Sequence, residues 1–116
     1  MPTITYSIRG PLPSRANERL HWSKRRKVSS AQRLEAYALT LAPLMRRPLR
    51  LPVAVTLTRV SPRLLDEDNL QGAFKSVRDG IADAFKVDDS PGSPISWQYA
   101  QRKGSPARAE IEIEEK

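Results

Sequence analysis

Apolar residues fall in two rhythms along this chain, and the boundaries between them predict its elements. Thr3-Ile4-Thr5-Tyr6-Ser7-Ile8 alternates polar and apolar and is β-branched, which reads as a strand. Arg9-Gly10-Pro11-Leu12-Pro13-Ser14 breaks it. Asn17 to Lys27 reads as a polar loop holding His21, Trp22 and a basic run. Ser29 or Ser30 then supplies a helix cap, and Ala31, Leu34, Tyr37, Ala38 and Leu41 follow at helical spacing as far as Pro43. After the basic turn Arg46-Arg47-Pro48, Val53 to Val60 returns to strand character, stopped by Ser61-Pro62-Arg63.

A second helix is expected from Asn69 to Phe85. Leu70, Ala73, Phe74, Val77, Ile81, Ala84 and Phe85 make the stripe of a helix lying on a sheet, and Gly80 inside it costs some stability. Ser90-Pro91-Gly92-Ser93-Pro94 is loop. Ile95 to Arg102 and Ala107 to Glu114 are strands, read as a hairpin through Lys103-Gly104-Ser105-Pro106, and Trp97 on the first of them is expected in the core or an interface. The order is strand, helix, strand, helix, strand, strand. That is an α/β (α+β) fold in a single domain, a four-stranded mixed sheet with two main helices.

Composition narrows the function classes. At 116 residues the chain forms one domain with a modest core. It has no cysteine and one histidine, which excludes disulfide frameworks, thiolate zinc and His-rich metal sites. No apolar run approaches a membrane span and no signal-peptide pattern is visible, so the expectation is a soluble cytoplasmic protein.

Charge changes the picture further. The net charge is +7, but residues 1–50 hold 11 Lys/Arg against Glu18 and Glu35, whereas residues 51–116 hold 9 against 11 acids. A basic half joined to an acidic cluster points to a polyanion partner with a metal at its centre. Lys24, Arg25, Arg26 and Lys27 are either a solvated loop or a phosphate contact.

The acids that need explaining are Asp66-Glu67-Asp68 and, beyond the second helix, Asp88-Asp89. In an extended run Asp66 and Asp68 project to one side and Glu67 to the other. Two converged carboxylates and a third from past the helix give the all-oxygen set of a hard cation such as Mg²⁺, with Mn²⁺ as a substitute. The competing structural roles are a helix N-cap at Asp68 and a turn at Asp88-Asp89-Ser90, in which one Asp is enough to face a metal.

Taken together, Asp66-x-Asp68-Asn69-Leu70, then Lys75-x-x-x-Asp79-Gly80-Ile81, then Val87-Asp88-Asp89-Ser90 resembles the RusA family of Holliday-junction resolvases, common in phages and prophages. The Pro11-x-Pro13-Ser14-x-x-Asn17 turn is similar as well. The resemblance implies a Mg²⁺-dependent endonuclease acting as a homodimer on branched, four-way DNA in recombination and repair. It implies Asp66, Asp68 and Asp89 as catalytic metal ligands. The family places a catalytic Lys four residues after its second Asp, where this chain has Gly72; Lys75 takes that role if three residues are inserted. The alternative is a non-catalytic DNA-binding protein on the same scaffold.

Overall fold

The computed structural model describes residues 3–10, 22–88 and 92–116, with the backbone alone for 22–26. The elements run β1 (Thr3–Arg9), α1 (Trp22–Arg46), β2 (Val53–Ser61), α2 (Glu67–Ala73), α3 (Lys75–Phe85), β3 (Ile95–Lys103) and β4 (Arg108–Glu115). The four strands form one mixed sheet in the order β1-β4-β2-β3, with β2 and β3 parallel and the other pairs antiparallel. The fold is α+β, one unit with a Cα radius of gyration of 13.8 Å.

Alternation sorts the sheet into a dry face and a wet one. Ile4 and Ile8 of β1, Val53, Val55 and Leu57 of β2, Ile95 of β3, and Ala109, Ile111 and Ile113 of β4 are buried in the core. Trp97 is partly buried against the same core, as its strand position suggests. Phe74, Val77 and Ile81 are fully buried in that cluster from the helix side. The opposite face carries Thr5, Ser7, Thr56, Thr58, Glu110 and Glu112.

Four local features depart from the expectations or add to them. First, α1 begins at Trp22, so the basic run 24–27 lies on helix, not loop; Lys and Arg are good helix formers. The helix also continues through Pro43 to Arg46, with Leu44 packed against the core beyond the proline. Its buried residues are Gln32, Ala36 and Thr40, not the apolar set the spacing singled out.

Second, the Asn69–Phe85 helix is two helices broken at Phe74, whose φ of −93° and ψ of 3° leave the helical region. Phe74 is fully buried, with its ring centroid 6.1 Å from that of Tyr99 on β3. The break lets α2 lie against β3 while α3 turns to pack along α1. Third, Gly80 is where α1 and α3 cross. A Cβ there would lie 2.9 Å from Ala36 Cβ and 3.0 Å from Tyr37 N, closer than atoms pack.

Fourth, β3 and β4 are not a hairpin, because β2 lies between them. The connection steps over the end of β2: Gly104 donates its N–H to Ser61 O at 3.1 Å. A Cβ on Gly104 would meet Val60 Cγ1 at 2.9 Å. Short strands joined by four residues look like a hairpin in sequence, but β2 is buried along most of its length and takes the central place.

Candidate functional site

The segment between β2 and α2 delivers the first acids, and two strand residues hold it. Arg59 on β2 donates from Nη1 to Arg63 O at 2.6 Å. Burial lowers the Arg59 pKa. Gln101 on β3 accepts from Leu65 N at 2.9 Å and donates from Nε2 to Leu65 O at 2.7 Å. Gln101 thereby imitates one residue of a neighbouring strand. Neither residue stood out in sequence, where a polar side chain in a strand reads as ordinary alternation; no local pattern marks it.

Asp66 follows directly and is the N-cap of α2. Its backbone is extended (φ −70°, ψ 167°) and its Oδ1 accepts from Asn69 N at 2.9 Å. Glu67 and Asp68 already belong to the first turn of α2. The expected extended run with Asp66 and Asp68 on one side is therefore corrected: the cap sits at Asp66 rather than Asp68, and helix begins immediately after it. Both carboxylates remain exposed at a helix start, where the peptide dipoles favour negative charge.

The late acid is reached through the end of α3. Lys86 adopts the left-handed conformation (φ 59°), and Val87 donates its N–H back to Ala82 O at 3.0 Å, which closes the helix. Asp88 is exposed and lines an open hollow with Asp83, Lys86, Val87, Gly92, Ser93 and Pro94. Asp89 lies outside the described residues, as do His21 and the Pro11–Asn17 turn.

Because β2 and β3 are parallel, the crossover between them starts at their C-terminal ends and finishes at their N-terminal ends. Asp66 is therefore anchored beside Gln101, and Asp88 beside the start of β3 at Ile95. Those two strand positions are about 20 Å apart. Among the described residues no three His, Asp or Glu side chains gather closely enough to share an ion. Asp66 and Asp68 are nonetheless the type of donor that fits Mg²⁺, which takes one or two carboxylates and completes its shell with water and substrate phosphate.

Lys75 is the first residue of α3, beyond the break at Phe74. A single helix running from Asp68 through Lys75 would have put both on one side; the break removes that relationship. Lys75 Nζ instead lies 3.6 Å from Asp79 Oδ2, four residues on. Asp79 and Asp83 also face Arg33 of α1, with Arg33 Nε to Asp83 Oδ2 at 2.8 Å. These acids join the two helices. By contrast Asp66, Asp68 and Asp88 have no ion pair among the described residues.

Of the basic run, Lys24, Arg25 and Arg26 lie on the backbone of the first turns of α1, and Lys27 is exposed. No described helix is long and apolar enough to cross a membrane. No family model matches the chain. It is similar to an uncharacterized protein of Xylella fastidiosa (strain Temecula1 / ATCC 700964), 38% identical over 99 residues. The match covers 72% of this chain and 60% of that protein, so the chain spans less than two-thirds of the relative's length.

Proposed function

We propose that the chain is a metal-dependent DNA endonuclease of the kind the RusA resolvases represent, working in the cytoplasm on branched DNA in recombination and repair. The observation that supports it best is electrostatic. In a chain with 20 Lys and Arg, Asp66 and Asp68 stay exposed at one helix start with no ion pair among the described residues. Carboxylates so placed lower the affinity for a phosphate backbone unless they hold a cation.

In this reading Asp66 and Asp68 hold Mg²⁺ or Mn²⁺, with water and substrate phosphate completing the shell. A metal bound there supplies an activated water and charge stabilisation at the leaving oxygen. The chain's own part is positional. Arg59 and Gln101 fix the segment before Asp66, the α2 cap fixes Asp66 itself, and the basic N-terminal turns of α1 hold the DNA backbone without reading bases. Lys75, released from Asp79 by an approaching phosphate, steadies an oxygen of the reacting group. Two symmetric incisions in a four-way junction require two such sites, which a homodimer provides.

A non-catalytic DNA-binding protein is the second reading, and the Asp66 cap favours it, since a cap gives that acid a purely structural role. One experiment separates the two. Purified protein is incubated with labelled four-way junction and with linear duplex, in Mg²⁺, Mn²⁺, Ca²⁺ and EDTA. Paired cuts in the junction with Mg²⁺ or Mn²⁺, and none with Ca²⁺ or EDTA, support the nuclease. Binding without cutting in every metal supports the alternative.

A further inference from the structure

Helix α1 is apolar on the wrong side. Its buried residues Gln32, Ala36 and Thr40 face the rest of the domain. Ala31, Leu34, Ala38, Leu41 and Met45 recur at spacings of three and four, and at 100° per residue they cluster about 180° away from the buried set. Leu34 is 67% and Met45 76% exposed, while Ala31, Ala38 and Ala42 are exposed too. The stripe is about 21 Å long. By comparison the open face of the sheet, with Thr5, Thr56, Thr58 and Glu112, has the polarity water asks for.

We propose that a second copy of this chain covers the stripe, with α1 packed antiparallel on α1 of the partner about a two-fold axis near Ala38. Three features of the helix fit that occupant. Reversed about Ala38, the stripe is complementary in size: Leu34 falls opposite Ala42, Met45 opposite Ala31, and Ala38 meets its own copy at the axis. A parallel pair would set Leu34 on Leu34 and Met45 on Met45 and leave gaps at the alanines. The small residues at the centre allow the backbones to approach closely.

The third feature is charge. Glu35 and Arg46 lie on the same flank of the stripe, about 20° apart around the helix. Both are exposed, and neither has an ion pair among the described residues. Antiparallel two-fold packing keeps that flank common to both helices. Each Glu35 then lies within about 8 Å, along the axis, of the level of Arg46 on the partner, which the two long side chains span. The arrangement is isologous, the shared flank carrying both symmetry-related pairs. It gives a surface to the dimer that junction cleavage requires, but it rests on α1 alone.

The test uses the full chain and needs neither DNA nor metal, so it is independent of whether the protein cuts. Sedimentation equilibrium at tens of micromolar is expected to give twice 13.1 kDa for the parent and 13.1 kDa for Leu34→Glu and Met45→Glu, with unchanged circular dichroism melts. Because the chain has no cysteine, single cysteines then report the geometry. Ala38→Cys is expected to form a disulfide-linked dimer on mild oxidation, Ala31→Cys is not, and Leu34→Glu in the Ala38→Cys background abolishes the link. A monomeric parent, or folded Glu variants that remain dimeric, overturns the interface. Linkage at both cysteines, or at neither, overturns the antiparallel arrangement.

Discussion

Arg59 and Gln101 stand opposite one another in the parallel register of β2 and β3, and both reach forward to hold the same short segment ahead of Asp66. Their three hydrogen bonds substitute for the ladder that the chain abandons on leaving β2. Gln101→Leu keeps the strand but strips Leu65 of both partners. The expected cost is about 1–3 kcal/mol, from the partly buried peptide groups left unmatched, read as a lower urea midpoint at constant slope. If the acids after Leu65 bind Mg²⁺, the same variant also needs more Mg²⁺ for half-maximal cutting. An unchanged midpoint would show that the clamp contributes nothing.

The two helical glycines respond oppositely to alanine. At Gly72 nothing lies within 4 Å of an added Cβ, so Gly72→Ala only gains helix propensity and is expected to stabilise by about 0.5–1 kcal/mol. At Gly80 the methyl collides with Arg33 O and with Ala36. There the gain in propensity is smaller than the overpacking, and Gly80→Ala is expected to destabilise by about 1–3 kcal/mol as α1 is pushed off α3. Thermal melts of the two variants side by side check the opposite signs.

Asp68→Asn separates chemistry from affinity. The exposed amide leaves the Asp66 cap and the basic surface intact. Cutting of a four-way junction is expected to fall by at least about 10²-fold, or ~2.7 kcal/mol of barrier, with DNA bound as tightly as before or more so. Lys75→Met is expected to lower the cutting rate at saturating DNA by a similar factor. A rate within about threefold of the parent, ~0.65 kcal/mol, would reduce Lys75 to its ion pair with Asp79, which as a surface contact is worth a few tenths of a kcal/mol.

Stability should fall in alkali through Tyr6. Burial raises its pKa above 10.0, partly opposed by the hydrogen bond to Thr40 Oγ1 at 2.8 Å. A group whose folded pKa is raised gives its full contribution below the unfolded value. That contribution is lost as pH rises past 10.0, where the unfolded chain releases the proton first. Tyr6→Phe is expected to lose about 1 kcal/mol at pH 7 with the hydrogen bond, and to show a shallower decline in melting temperature above pH 10. Equal slopes for parent and variant would assign the alkaline loss to other groups.

What the sequence determined by itself is what local periodicity and side-chain chemistry dictate. Alternation at Thr3–Ile8 and Ala107–Glu114, and the stripe through Leu70, Val77 and Ile81, are properties of single segments, and they place the strands, the dry face of the sheet and a helix upon it. Concentration of acids around Asp66 and of bases in the first half is equally local. Tertiary structure decided what depends on neighbours distant in sequence. Whether β4 joins β3 or passes over β2 depends on which strand buries more area once all four compete, and a short Gly-containing loop serves either path. Periodicity also says that a face is apolar without saying what it meets. On α1, the close approach of Ala36 to Gly80 and the hydrogen bond of Thr40 to Tyr6 turn that face inward and leave Leu34 and Met45 outside. The break at Phe74 follows from the same competition, since one straight helix cannot lie on β3 and along α1 together. That break, rather than the spacing of the charged residues, sets how far Lys75 stands from Asp68.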